Sequence, residues 1–136
     1  MWRYYGLILA CMLPLAAQAK DCGKGNNVYD VINACEKQIE RDKQRIASEA
    51  NKLKQLVQQH NQKHVHISVD KEWQQSQKLW QRFVEADCAL ESMPAQVAQG
   101  AGYGMVKTSC IAERYRQRIT QLRQLQKEVR LLIAEE

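Results

Sequence analysis

Apolar residues recur at helical spacing in three separate segments of this chain, and this recurrence restricts its fold more than any other feature. In the first segment the pattern repeats every seven residues, at Ile32, Ile39, Ile46 and Leu53, and His60 occupies the next position of the repeat. Such a repeat places them along one face of a helix of some seven turns. The neighbouring stripe holds Cys35, Ala50 and Val57.

The second and third segments show the same periodicity. The second begins at Asp70, a predicted N-cap, and ends near Leu90, because Pro94 disfavours helical geometry in Met93. Its predicted apolar side consists of Trp73, Leu79, Trp80, Phe83, Val84 and Leu90. The third segment is predicted to form a helix whose N-cap is Thr108 or Ser109. Its apolar positions are Ile111, Tyr115, Ile119, Leu122, Leu125, Val129, Leu132 and Ile133.

Two connections separate these segments, at 60–69 and in the glycine-rich run 99–104. No strand precedes the glycine-rich run, and no glycine of the run is directly followed by Lys-Ser/Thr, so it lacks the elements of a phosphate-binding loop. Three amphipathic helices joined in this way predict an all-α fold, an up-down-up three-helix bundle. The high content of Gln, Lys, Arg, Glu, Ala and Leu agrees with that fold class.

The first residues predict export. A short N-terminal region with Arg3 precedes an apolar run, 6–16, and Ala17-Gln18-Ala19 has the small-x-small pattern that signal peptidase cleaves. We therefore expect a signal peptide over residues 1–19 and a single mature domain over residues 20–136, with no transmembrane span, in the periplasm or secreted. The alternatives are a membrane anchor, for which the run is too short, and lipidation at Cys11.

Four cysteines remain after cleavage: Cys22, Cys35, Cys88 and Cys110. An even number in an exported domain predicts two disulfides, and a zinc site lacks a close Cys-x-x-Cys pair. In an up-down-up bundle all four lie at one pole. Every connectivity is geometrically possible there, and we favour Cys22–Cys35 with Cys88–Cys110, because each bond then tethers an otherwise loose segment.

Two motifs accompany the four cysteines. Segment 77–88 has a Gln-x-x-Trp motif ahead of Cys88, and in segment 109–122 Cys110 opens a run containing Arg116-Gln117-Arg118 and Leu122. The cysteine order and these motifs resemble the exported LprI-type lysozyme-inhibitor family. Asp21-Cys22 and Ala34-Cys35 extend the resemblance to the N-terminal half. It implies a helical bundle outside the cytoplasm and, for some members, inhibition of lysozyme.

Two clusters are candidate contact sites for a partner. Glu85, Asp87 and Glu91 lie near the cysteine pole and could attract a lysozyme, because animal c-type lysozymes are strongly cationic. The basic third helix, with Arg116, Arg118 and Arg123, could instead engage anionic envelope polymer or lipid. Its charge alone would also suit nucleic acid, but export argues against that partner and the aromatics are not interleaved with the charges, so we expect no nucleic acid. Without residues 1–19 the net charge falls from +5 to +4.

No pattern predicts catalysis or a cofactor. The chain has no nucleophile–His–acid set, and no carboxylate can be identified as buried and perturbed. His60, His64 and His66 could share a metal ion, but a polar turn is the favoured interpretation, so we expect no metal site. Trp73 and Trp80, seven residues apart, are expected to pack in the core rather than to anchor a partner.

Overall fold

The computed structural model describes residues 22, 25–61, 69–98, 100 and 102–135. Within these ranges the chain forms helices and no strand: α1 (Val28–Asn61), α2 (Val69–Glu91), the short α3 (Met93–Val97) and α4 (Gly102–Ala134). The predicted signal peptide and most of the connection 60–69 lie outside the described residues. None of the helices described here has an apolar stretch that would cross a membrane.

The three long helices form the predicted up-down-up bundle. Cys35 on α1 lies beside Ser109 on α4, and Glu49 lies beside Arg123 and Gln126 further along, so α1 and α4 run parallel. Ser76 of α2 contacts Arg118 and Asp87 contacts Arg114, so α2 runs antiparallel to α4. The all-α fold class is confirmed.

Both disulfides have the favoured pairing. Cys22 is bonded to Cys35, and Cys88 is bonded to Cys110. The first bond fastens the segment before α1 to that helix, and the second joins the end of α2 to the first half of α4. The bonds stabilise the fold mainly by restricting the unfolded chain, in the usual entropic account.

The core lies between the three long helices. Its buried members come from every one of them: Ile46, Val84, Cys88, Tyr115, Ile119 and Leu122. Ile39, Leu53, Trp73 and Trp80 pack against this cluster while staying partly exposed. The expectation that Trp73 and Trp80 belong to the core is therefore confirmed in their packing, although neither is fully buried.

Several sequence expectations about the faces and ends of the helices were wrong. Leu79, Phe83 and Leu90 are each more than half exposed, because they lie on a different face of α2 from Trp80 and Val84. On α4, Leu125 and Leu132 are exposed as well. Asp70 lies inside the first turn of α2 and pairs with Lys54 of α1.

The start of α4 also differs from the prediction. The helix begins at Gly102, so Thr108 and Ser109 lie inside it rather than at its cap. The Thr108 hydroxyl donates to the Gly104 carbonyl at 2.7 Å, one turn earlier. A Cβ on Gly104 would lie 3.1 Å from Ile32 Cδ1, so the missing side chain lets the first turn of α4 approach α1 closely.

Candidate functional site

Two of the three carboxylates in the predicted acidic cluster on α2 pair with a single cation. Arg114 of α4 donates from Nη2 to Asp87 Oδ2 at 2.7 Å and to Glu91 Oε1 at 2.6 Å. Because the two carboxylates share one guanidinium, they are fixed in position and their combined charge is reduced. Glu85 is exposed and forms no ion pair within the described parts of the chain.

Glu85 nevertheless affects the pKa of a core residue, Tyr115. Burial raises the pKa of the Tyr115 hydroxyl; nearby Lys43 acts against this, and the negative charge of Glu85 acts with it. Glu85 therefore lies close enough to Tyr115 for their charges to interact, but on the solvent side of α2. Among the described residues, no hydrogen bond links Glu85 to Asp87, Arg114 or Glu91.

Arg118 is a buried residue rather than part of an exposed basic face. Its guanidinium carbon lies 5.5 Å from the centre of the Trp73 ring and 5.4 Å from that of Trp80. Nη2 donates to Ser76 Oγ at 2.9 Å and Nη1 donates to Gln121 Oε1 at 2.7 Å. Burial lowers the pKa of Arg118 from its ordinary value.

Arg116 and Arg123 lie on another face of α4, seven residues apart. Arg116 pairs with Glu113 at 3.6 Å and approaches Cys22 Sγ to 3.9 Å. Arg123 is exposed over more than half of its side chain and lies 3.4 Å from Glu49 of α1. The structure therefore brings Arg116 and Arg123 to the α1 side of α4 and places Arg118 on the α2 side.

The formal charge is divided unevenly between the helices. α2 carries five acidic residues against three basic ones, whereas α4 carries seven basic residues against two acidic ones. A basic chain thus contains one acidic helix. A cationic partner would be attracted to α2 rather than to the molecule as a whole.

An exposed apolar surface runs along α2 and continues on α3. It consists of Leu79, Phe83, Leu90, Met93 and Val97, each at least half exposed, and we call it the α2–α3 ridge. Its members are separated by four, seven, three and four residues, and exposed Ala86 divides the interval of seven into three and four. Within α2, positions 79, 83, 86 and 90 have the spacing of one helix face. Met93 and Val97 follow on α3, beyond the turn at Ser92. The buried face of α2 passes through Val84 and Cys88.

A comparison with known protein families shows which family the chain belongs to. The family described as Lysozyme inhibitor LprI matches residues 20–122. The chain belongs to the LprI family. Searches of curated proteins and of solved structures gave no match. The family assignment confirms the resemblance read from the cysteine order and the motifs around Cys88 and Cys110.

The LprI match covers most of the features described above. It includes all four cysteines, the acidic cluster with Arg114, and the whole α2–α3 ridge. It ends at Leu122, so the last third of α4, with Arg123 and the exposed Leu131 and Leu132, lies beyond it. The α2 surface therefore lies within the family match, and the end of α4 lies beyond it.

Sequence reasoning missed a row of buried polar residues between α1 and α4. Asp42 is fully buried and accepts a hydrogen bond from Gln38 Nε2 at 3.0 Å. Glu49, also buried, accepts from Gln126 Nε2 at 2.7 Å. The signal was present in the spacing, because Cys35, Asp42 and Glu49 recur every seven residues on the face toward α4.

The metal hypothesis is not tested by the structure. The side chains of His60, His64 and His66 lie outside the described part of the chain. Among the residues that are described, no three His, Cys, Asp or Glu side chains are grouped so that they could hold a metal ion.

Proposed function

We propose that the mature chain, residues 20–136, is an exported binding protein that inhibits a lysozyme or a related muramidase and catalyses no reaction itself. The family match over residues 20–122 is the observation that supports this proposal. Two disulfides add to it, because such bonds persist in oxidising compartments such as the periplasm or the extracellular space.

We further propose that the enzyme approaches the acidic side of α2, at Glu85, Asp87 and Glu91. These carboxylates belong to the only acidic one of the three long helices, and two of them are held in place by Arg114. Fixed charges lose little side-chain entropy on binding. Screening acts over about 8 Å at physiological ionic strength, so the attraction should be local and sensitive to salt.

The test is a titration of lysozymes of several classes with oxidised protein comprising residues 20–136. We expect one class to be inhibited at near-stoichiometric protein. Changing the three carboxylates together (Glu85→Gln, Asp87→Asn, Glu91→Gln) should slow association and weaken inhibition at low salt. A control variant removes the same charge elsewhere (Glu36→Gln, Glu40→Gln, Glu128→Gln). No inhibition of any class by the unaltered protein, even in excess, would contradict the function.

The alternative proposal is an envelope protein that holds anionic polymer or lipid through the basic face of α4, at Arg116 and Arg123. The seven basic residues of α4 favour it. Because Arg118 is buried, the discriminating variant changes only Arg116→Gln and Arg123→Gln. Loss of binding to anionic lipid vesicles, with inhibition of lysozyme unchanged, would support this alternative for α4.

A further inference from the structure

We infer that the α2–α3 ridge is the apolar centre of the surface that the inhibited lysozyme covers. The inference rests on the proposed function and specifies its contact surface. The ridge is a second apolar face of α2, distinct from the face that packs in the bundle. Trp80 and Val84 pack inward, whereas Phe83, adjacent to Val84 in sequence, is 59% exposed.

The spacing along the ridge supports contact with a packed surface. Along α2 the intervals alternate between four and three residues, from Leu79 through Phe83 and Ala86 to Leu90. That alternation keeps side chains on one seam of a helix, the arrangement used when a helix packs against another body. At 1.5 Å per residue the part of the ridge on α2, from Leu79 to Leu90, is about 17 Å long. Contiguous exposed apolar surface of this kind commonly marks an interaction site.

Charge determines which partner the ridge fits. Glu72 lies seven residues before Leu79 and shares its face, Asp87 lies at one edge of the ridge, and the other edge holds Lys78 and Arg82. Over its whole length α2 carries five acidic residues against three basic ones. An apolar centre with a charged rim is the usual anatomy of a protein interface. The net negative charge of α2 disfavours anionic lipid and favours a cationic enzyme. A cationic lysozyme is therefore the occupant that agrees with the exposed ridge, the net charge of α2 and the family match that covers both.

Phe83 is the residue through which the inference can be tested. It is the only aromatic residue of the ridge and lies near the middle of the α2 part, between Leu79 and Leu90. Buried apolar anchors at the centre of an interface contribute far more to affinity than residues at its rim. Because Phe83 is exposed in the unbound protein, its replacement should have little effect on folding.

The experiment compares Phe83→Ser with the unaltered protein against the lysozyme class that the latter inhibits best. We expect the inhibition constant to rise about 30-fold or more, with the thermal unfolding midpoint nearly unchanged. Leu131→Ser is the matched control, because Leu131 is 65% exposed but lies beyond the family match. Inhibition by that variant should equal that of the unaltered protein.

The other outcomes would overturn the inference in distinguishable ways. Full inhibition by Phe83→Ser would remove the ridge from the interface and leave the proposed function intact. Failure of the unaltered protein to inhibit or bind any lysozyme would overturn both. Sedimentation at the assay concentration supplies a third result: a dimer that Phe83→Ser dissociates would show that a second copy of the chain covers the ridge.

Discussion

The guanidinium of Arg118 stabilises the junction of α2 and α4 through contacts that few other side chains could supply together. It lies near two indole rings and donates hydrogen bonds to Ser76 and Gln121. Cation–π contacts strengthen as they are desolvated, and hydrogen bonds from a charged donor exceed those of neutral groups. Arg118 therefore acts as a polar residue of the core.

We expect Arg118→Ala to lower the free energy of unfolding by about 2–3 kcal/mol, because it removes these hydrogen bonds and the packing of the stem. Arg118→Met should lose less, since an apolar side chain of similar length fills the same space without a buried charge. Arg130→Ala, on the exposed end of α4, is the control. Denaturant unfolding measures all three. Equal stability of Arg118→Ala and Arg130→Ala would refute the buried role.

Glu49 is the residue whose ionisation couples most clearly to the fold. The hydrogen bond from Gln126 lowers the pKa of Glu49; burial acts in the opposite direction, and Lys52 and Arg123 lower it further. Because the folded-state pKa lies below the unfolded value, the ionised carboxylate stabilises the fold above about pH 4.3. That contribution is lost as the pH falls through the folded-state pKa.

Glu49→Gln should therefore be less stable than the unaltered protein at neutral pH, and the difference should shrink as the pH falls below about 4. Unfolding midpoints measured between about pH 7 and pH 3 follow this convergence. Glu36→Gln removes an exposed carboxylate from the same helix and serves as the control. A stability difference for Glu49→Gln that does not change with pH would mean that packing, and not charge, is responsible.

At the scale of the helices, periodicity alone predicted the three long elements and their up-down-up order. It failed where one helix carries two apolar faces. On α2 the sequence predicted that Phe83 and Val84 both lie on the apolar side. The positions of α1 and α4 determine that Val84 is buried and Phe83 exposed. Tertiary packing, which a single helix does not encode, makes that choice.

The glycine-rich run shows a second limit of sequence reasoning. Gly102 and Gly104 suggested a turn, because glycine weakens isolated helices. In the fold, Gly104 is helical and permits close contact with Ile32. Asp42 and Glu49 were hidden for a related reason: on a helix rich in charged residues, their seven-residue spacing was not distinguished from that of a solvated face. The position of α4 turns that face into an interface.

At the scale of the molecule, the disulfides compensate for a small core. Each closed loop should contribute about 3 kcal/mol to stability. We expect no thiol to react in denatured, unreduced protein comprising residues 20–136. We also expect removal of either pair (Cys22→Ala with Cys35→Ala, or Cys88→Ala with Cys110→Ala) to lower the free energy of unfolding by about that amount. A reactive cysteine in the unreduced protein would contradict the pairing.

Because both bonds lie at one end of the bundle, local unfolding should be graded along its length. Among the described residues no disulfide ties the far ends of α1 and α4, so their amides should exchange with solvent faster than those near Cys110. Leu90 and Met93 follow Cys88 closely, which places that part of the α2–α3 ridge at the slowly exchanging end. A partner that docks there meets a surface already ordered before contact.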